Sequence, residues 1–148
     1  MVQERLAGTD GLGDPKFTLE QLQTLMLSNQ SYAGQVLRDD LVALCNANPT
    51  VTLPDTTVVD ISPACPVLAA WDLRDNLDSE GAHLFREFMA AGDGGRTLPS
   101  SWNYLVPFSL ADPVNTPTGL DPVNNPNALQ ALAEAQRARG PVNEEYVQ

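Results

Sequence analysis

The sequence predicts a mainly α-helical fold, with about five helices and one long proline-rich irregular segment. Three observations carry this. In five stretches apolar residues recur at three- and four-residue spacing, as one buried face of a helix requires. Residues that start or stop helices stand at the ends of those stretches. Between Asp93 and Pro126, by contrast, Pro99, Pro107, Pro113, Pro117, Pro122 and Pro126 break every period.

The first helix opens at Thr18, whose hydroxyl is placed to cap it while Gln21 reaches back, a capping box; Leu19, Leu22, Leu25 and Met26 make its apolar stripe. The second runs from Tyr32 to Ala47, with Ala33, Val36, Leu37, Leu41, Leu44 and Cys45 on one face, and Asn46 to Pro49 end it. From Thr50 to Ile61 the β-branched residues are interrupted by Pro49, Pro54 and acidic positions, which reads as an extended connector with at most a short edge strand. Ser62 and Pro63 form a cap and first-turn pair for a third helix through Trp71, with Pro66 still inside the tolerated first turn. Ser79 is expected to cap a fourth helix, whose stripe is Ala82, Phe85, Phe88 and Met89 and whose left-handed terminator is Gly92. The last helix runs from Asn127 or Ala128 to Arg139 and stops at Gly140 and Pro141.

These boundaries give a single helical piece over 1–148: an irregular lead-in at 1–17, a helical core at 18–92, the extended proline-rich segment at 93–126 and a terminal helix at 127–140. Structureless loops beyond ~12 to 15 residues are uncommon inside compact domains. This one carries Trp102, Tyr104, Leu105, Val106, Phe108 and Leu110, which a free linker would not keep in water. The segment either wraps the four helices before it or lies over a larger body.

With 148 residues, 43% of them hydrophobic, the chain can bury a core. Aspartate and glutamate total 19 against 8 lysine plus arginine, a net charge of -11 that repels phosphate backbones and anionic headgroups. Nucleic acid and membrane surfaces are therefore not expected partners. Apolar runs such as Leu41 to Cys45 or Val67 to Trp71 fall far short of the ~18 residues of a membrane span. Met1-Val2-Gln3-Glu4-Arg5 has no apolar run behind it, so no signal peptide is expected in this chain.

Four constellations bear on chemistry. Cys45 and Cys65 flank the connector; with His83 the only histidine, the four ligands of a zinc site are lacking, and the spacing is not that of a redox pair. A structural disulfide or two buried thiols remain, and the disulfide is favoured, which would imply an oxidising compartment. Ser79 precedes His83 by one helical turn, but no G-x-S-x-G elbow accompanies them, and a half-exposed helix histidine is the simpler reading. Asp72, Asp75 and Asp78 lack the spacing of a calcium loop and have Leu77 at the glycine position, so they read as acidic residues ahead of a helix N-terminus. Gly8-Thr9 and Gly92 to Gly95 are followed by no G-K-[ST], so no phosphate loop is expected. Neither a metal nor a cofactor is expected.

The run Leu68-Ala69-Ala70-Trp71-Asp72, then Ser79-Glu80-Gly81-Ala82, then Leu84-Phe85 resembles a signature of the penicillin amidase family of N-terminal nucleophile hydrolases: a helix ending in Trp-Asp, followed by an S-x-G-A-x-x-F helix. Phe17 to Gln23, with Leu37, Leu41 and Leu44, resembles the helical hairpin before that signature, and Ala128 to Arg139 the helix after it. The resemblance covers nearly the whole chain and is closest to the aculeacin and acyl-homoserine lactone acylases. The lone lysine, Lys16, among the basic residues is compatible with coding in a high-GC genome.

The resemblance implies the helical part of a larger αββα hydrolase, secreted or periplasmic, that cleaves amide bonds with an N-terminal serine. It places the serine, histidine, oxyanion hole and asparagine of that site upstream of the matched region, so no catalytic residue is assigned in this chain. Trp71, Asp72, Ser79, Gly81, Ala82 and Phe85 are implied to be structural. The expected role is a scaffold whose partner is the rest of the acylase. The alternative is an independent acidic helical protein-binding module, and a third reading is a standalone hydrolase using Ser79 and His83.

Overall fold

A computed structural model of the chain describes residues 17–93, 104–121 and 125–139. It divides into two compact units, Met1–Gln30 and Ser31–Gln148. Five helices and four short strands are present among the described residues.

In the first unit, α1 spans Leu19–Met26. Both halves of the expected capping box form: the Gln21 amide donates to Thr18 Oγ1 at 3.1 Å, and the Thr18 amide to Gln21 Oε1 at 3.0 Å. No residue of α1 is buried.

The second unit begins with α2, Tyr32–Ala47, capped by Ser31 Oγ, which accepts from the Gly34 amide at 3.2 Å. Leu37, Leu41, Leu44 and Cys45 face the core, as their spacing requires. Asn48 closes the helix, its Nδ2 donating to the Leu44 carbonyl at 3.0 Å.

Thr50 to Ile61 is not a connector but a hairpin. Strand β1, Thr50–Thr52, pairs antiparallel with β2, Val58–Asp60, with Val51 opposite Val59. The prolines do not interrupt the ladder. Pro49 precedes it, its carbonyl accepting from Ile61 N at 2.9 Å, and Pro54 lies in the turn, where a fixed φ is useful. Val51, Leu53 and Ile61 point into the core.

Helix α3 is Ala64–Ala70, with Pro63 at its cap position and no side-chain cap. The expected Ser62 cap does not form: Pro63 holds the cap position one residue later, and both the amide and the hydroxyl of Ser62 donate to Asp60 Oδ1, at 2.9 and 2.6 Å. Ala64, Cys65 and Leu68 are its buried residues, and Trp71 leaves the helix in an extended conformation.

Helix α4 is Ala82–Asp93. Two expectations fail here. Ser79 is not the hydroxyl cap, since the helix starts only after Gly81 and it is the Ser79 carbonyl that accepts from the Ala82 amide, at 3.3 Å. Nor does Gly92 terminate the helix, which continues through it to Asp93. Leu84, Phe85 and Phe88 are buried and Met89 packs against them.

The stretch expected to be irregular contains a second antiparallel pair, β3 (Tyr104–Val106) with β4 (Thr118–Leu120), in which Tyr104 faces Leu120. Helix α5, Pro126–Arg139, starts on a proline, whose missing N–H has no partner to lose in a first turn. Ala128, Ala131, Leu132, Ala133 and Ala135 bury a small-residue face, and α5 packs along α4. The lead-in at 1–16, the glycines at 94 and 95, Trp102, and the stop at Gly140 and Pro141 lie outside the described residues. Among the described residues no helix is long and apolar enough to cross a membrane.

Candidate functional site

The signature residues converge on one corner, where the chain leaves α3, crosses a loop and enters α4. Trp71 is its centre, 1% exposed, with its ring centroid 4.8 Å from that of Phe85, which lies 5.7 Å from Phe88. The indole is not left with a buried donor: Nε1 donates to the Arg74 carbonyl at 2.8 Å. Its own carbonyl accepts from Arg38 Nη1 of α2 at 2.9 Å.

Two glycines make room for the indole. A Cβ on Gly34 would stand 2.6 Å from Trp71 Cη2. A Cβ on Gly81 would stand 2.8 Å from Trp71 Cβ and 3.0 Å from the Val67 carbonyl, and Gly81 has φ +90°, which side chains with a Cβ rarely adopt. The required glycine is therefore explained sterically at both positions.

Asp72 ties the loop shut. Its Oδ1 accepts from the Arg74 amide at 3.0 Å and its Oδ2 from the Ser79 hydroxyl at 3.1 Å. Leu73, at φ 61°, turns the chain between them, and its carbonyl accepts from the Ser31 amide at 2.8 Å, joining the loop to the start of α2. Ala82 packs against the core beside this turn. Trp71, Asp72, Ser79, Gly81, Ala82 and Phe85 thus share one small region.

Ser79 and His83 have different partners. The serine hydroxyl donates to Asp72, while His83 Nδ1 lies 3.6 Å from Glu87 Oε1, one turn along α4. Asp72 serves the loop; Asp75 and Asp78 join no metal-binding group, and among the described residues no three His, Cys, Asp or Glu are arranged to hold an ion. Cys45 and Cys65 are bonded to each other, with Cα atoms 5.7 Å apart, joining the end of α2 to the first turn of α3.

Three residues of the corner and its surroundings escape the sequence reading. Gly34, in the first turn of α2 within Tyr-Ala-Gly-Gln, did carry a weak signal, a poor helix former inside an otherwise helical run. Arg38 and Asp40 carried none. Asp40 Oδ2 accepts from the Leu120 amide at 2.9 Å, holding β4 against α2.

Comparison with known proteins gives the corner its context. The penicillin amidase family model matches residues 1–141. The chain is 41% identical over 134 residues to aculeacin-A acylase of Actinoplanes utahensis, covering 90% of this chain and 16% of that protein. It is 36% identical over 125 residues to the acyl-homoserine lactone acylase PvdQ of Pseudomonas savastanoi pv. phaseolicola, covering 83% of this chain and 14% of the relative. With PvdQ of Pseudomonas syringae pv. tomato the identity is 32% over 136 residues, 91% of this chain and 16% of the relative. The chain spans about a sixth or less of the length of these acylases.

Proposed function

The chain belongs to the penicillin amidase family, and we propose that it is the helical scaffold portion of an N-acyl amide-hydrolysing acylase, packing on a catalytic α/β body elsewhere in the protein and performing no chemistry with its own residues. The observation that carries this reading is the Trp71 corner. Its aromatic rings fill the core and its carboxylate and hydroxyl close a loop, so the signature side chains act on the chain's own architecture. Trp71, Asp72, Ser79, Gly81, Ala82 and Phe85 are on this reading a folding signature. The substrates are those the relatives' names point to, N-acyl compounds such as an acyl-homoserine lactone or aculeacin A. A buried Cys45–Cys65 bond supports a secreted or periplasmic enzyme.

The test is an assay of the purified 148-residue chain against N-acyl amides and N-acyl-homoserine lactones. No turnover above buffer is expected. Turnover abolished by Ser79→Ala or His83→Ala would replace the scaffold with a standalone hydrolase. The rival reading, an independent protein-binding module, draws on exposed Leu105, Phe108 and Leu110. The mass of the polypeptide isolated from its native host separates the two, since a module of 15.9 kDa would stand alone.

A further inference from the structure

The 104–121 arm is built at its base and apolar at its tip. Leu120 is fully buried, its amide held by Asp40, and a Cβ on Gly119 would stand 2.9 Å from Asp40 Oδ2, so the arm's second strand lies tightly on α2. Tyr32 of α2 donates its hydroxyl to the Val114 carbonyl at 3.0 Å. The tip is wired internally: Thr116 Oγ1 accepts from the Ser109 amide at 2.8 Å and donates to the Asp112 carbonyl, and Asp112 Oδ1 accepts from Asn115 Nδ2 at 2.9 Å. On this fixed frame Leu105, Phe108 and Leu110 are 64%, 57% and 89% exposed. A frame held by this many bonds, displaying large apolar side chains, is a pre-organised contact surface rather than a loose loop.

The length of the relatives outside the matched region points to the occupant. The match to aculeacin-A acylase covers 90% of this chain, and the arm lies further from either end than the uncovered tenth reaches, so the arm is inside a region that makes up 16% of that enzyme. Residues 104–121 carry Asp112 and Asp121 and no lysine or arginine, and the whole chain has net charge -11. A second copy would bring like charge, and an anionic bilayer would repel the arm. We propose that the β3–β4 arm is the surface by which this chain seats on the remainder of its own acylase polypeptide, with Leu105, Phe108 and Leu110 entering an apolar recess whose rim is neutral or basic. This rests on the reading that the chain is part of a larger acylase.

The test places the photo-cross-linker p-benzoylphenylalanine at position 108 of the acylase as its host produces it and maps the products by mass spectrometry. Cross-links to peptides outside residues 1–148 are expected, with yield falling at least tenfold when Leu105→Asp and Leu110→Asp are added and helical circular dichroism is retained. Cross-links confined to 1–148, links between two copies, or no cross-link would each overturn the proposal while leaving the scaffold reading standing. A native polypeptide with nothing outside these 148 residues would overturn both.

Discussion

Trp71 concentrates the interactions of the second unit in one side chain. Its ring covers Gly34, abuts Phe85 and donates to the Arg74 carbonyl, and its carbonyl receives Arg38. Truncating a buried aromatic costs ~3 to 5 kcal/mol, out of a domain total of ~5 to 15 kcal/mol. Trp71→Ala is therefore expected to leave the isolated chain largely unfolded. His83→Ala, on a half-exposed helix face beside Glu87, is expected to change stability by less than about 1 kcal/mol. Thermal melts of the two variants check the ordering, and a Trp71→Ala variant that melts like the wild type refutes it. Gly34→Ala tests the same socket from below: the added methyl meets the indole, so the melting temperature should fall although alanine is the better helix former.

An ion pair between Asp55, in the β1–β2 turn, and Arg137 of α5 makes a prediction about acid. The Arg137 hydrogen bond, at 2.7 Å, and then that of the Thr57 amide hold the Asp55 carboxyl at about 2, below its ordinary 3.8. Because the folded value is the depressed one, the contribution is complete above 3.8 and is lost as pH falls from there through about 2. Arg137→Ala should raise the Asp55 pKa toward its ordinary value in a carboxyl-carbon NMR titration. An unchanged titration would mean the pair does not form in solution.

Among the elements, the helices were legible in the sequence and the hairpins were not, for a physical reason. Helical spacing in α2 and α4 repeats over several turns, so Leu37, Leu41, Leu44 and Phe85, Phe88 identify themselves. Strands of three residues offer one alternation at most. Thr50-Val51-Thr52-Leu53 does alternate, but Pro49 and Pro54 beside it read as breakers when they are the hairpin's ends. Both misplaced caps have a common origin: α3 starts at Ala64 and α4 at Ala82, so neither Ser62 nor Ser79 stands directly ahead of its helix, and their hydroxyls donate to Asp60 and Asp72. At the corner, Trp71, Asp72, Ser79, Gly81 and Phe85 were visible as a motif, whereas Arg38 and Asp40 act across long sequence separations that no local pattern encodes. The disulfide spans 20 residues and encloses the β1–β2 hairpin. Removing it by Cys45→Ala with Cys65→Ala should cost ~3 kcal/mol in the loop-entropy model, roughly a 10 °C fall in melting temperature. A melt unchanged by the double substitution would show that the hairpin and α3 hold without it.

At the largest scale, the second unit is an α2–α3 and α4–α5 helical core with the β1–β2 hairpin packed on α5 and the β3–β4 hairpin seated on α2 through β4. The acylases that the chain matches are several times longer than it is, and the Trp71 ring at the end of α3 packs on Phe85 of α4. The central claim is that Ser79 and His83 take no part in hydrolysis. The most direct measurement is kcat/KM for an N-acyl substrate in the acylase that carries this chain, with Ser79→Ala and His83→Ala combined. The expected value lies within about twofold of the wild type per folded molecule, with at most ~1 kcal/mol of stability lost with the Ser79–Asp72 hydrogen bond. A fall of a hundredfold or more in kcat/KM, at an unchanged melting temperature, would contradict it.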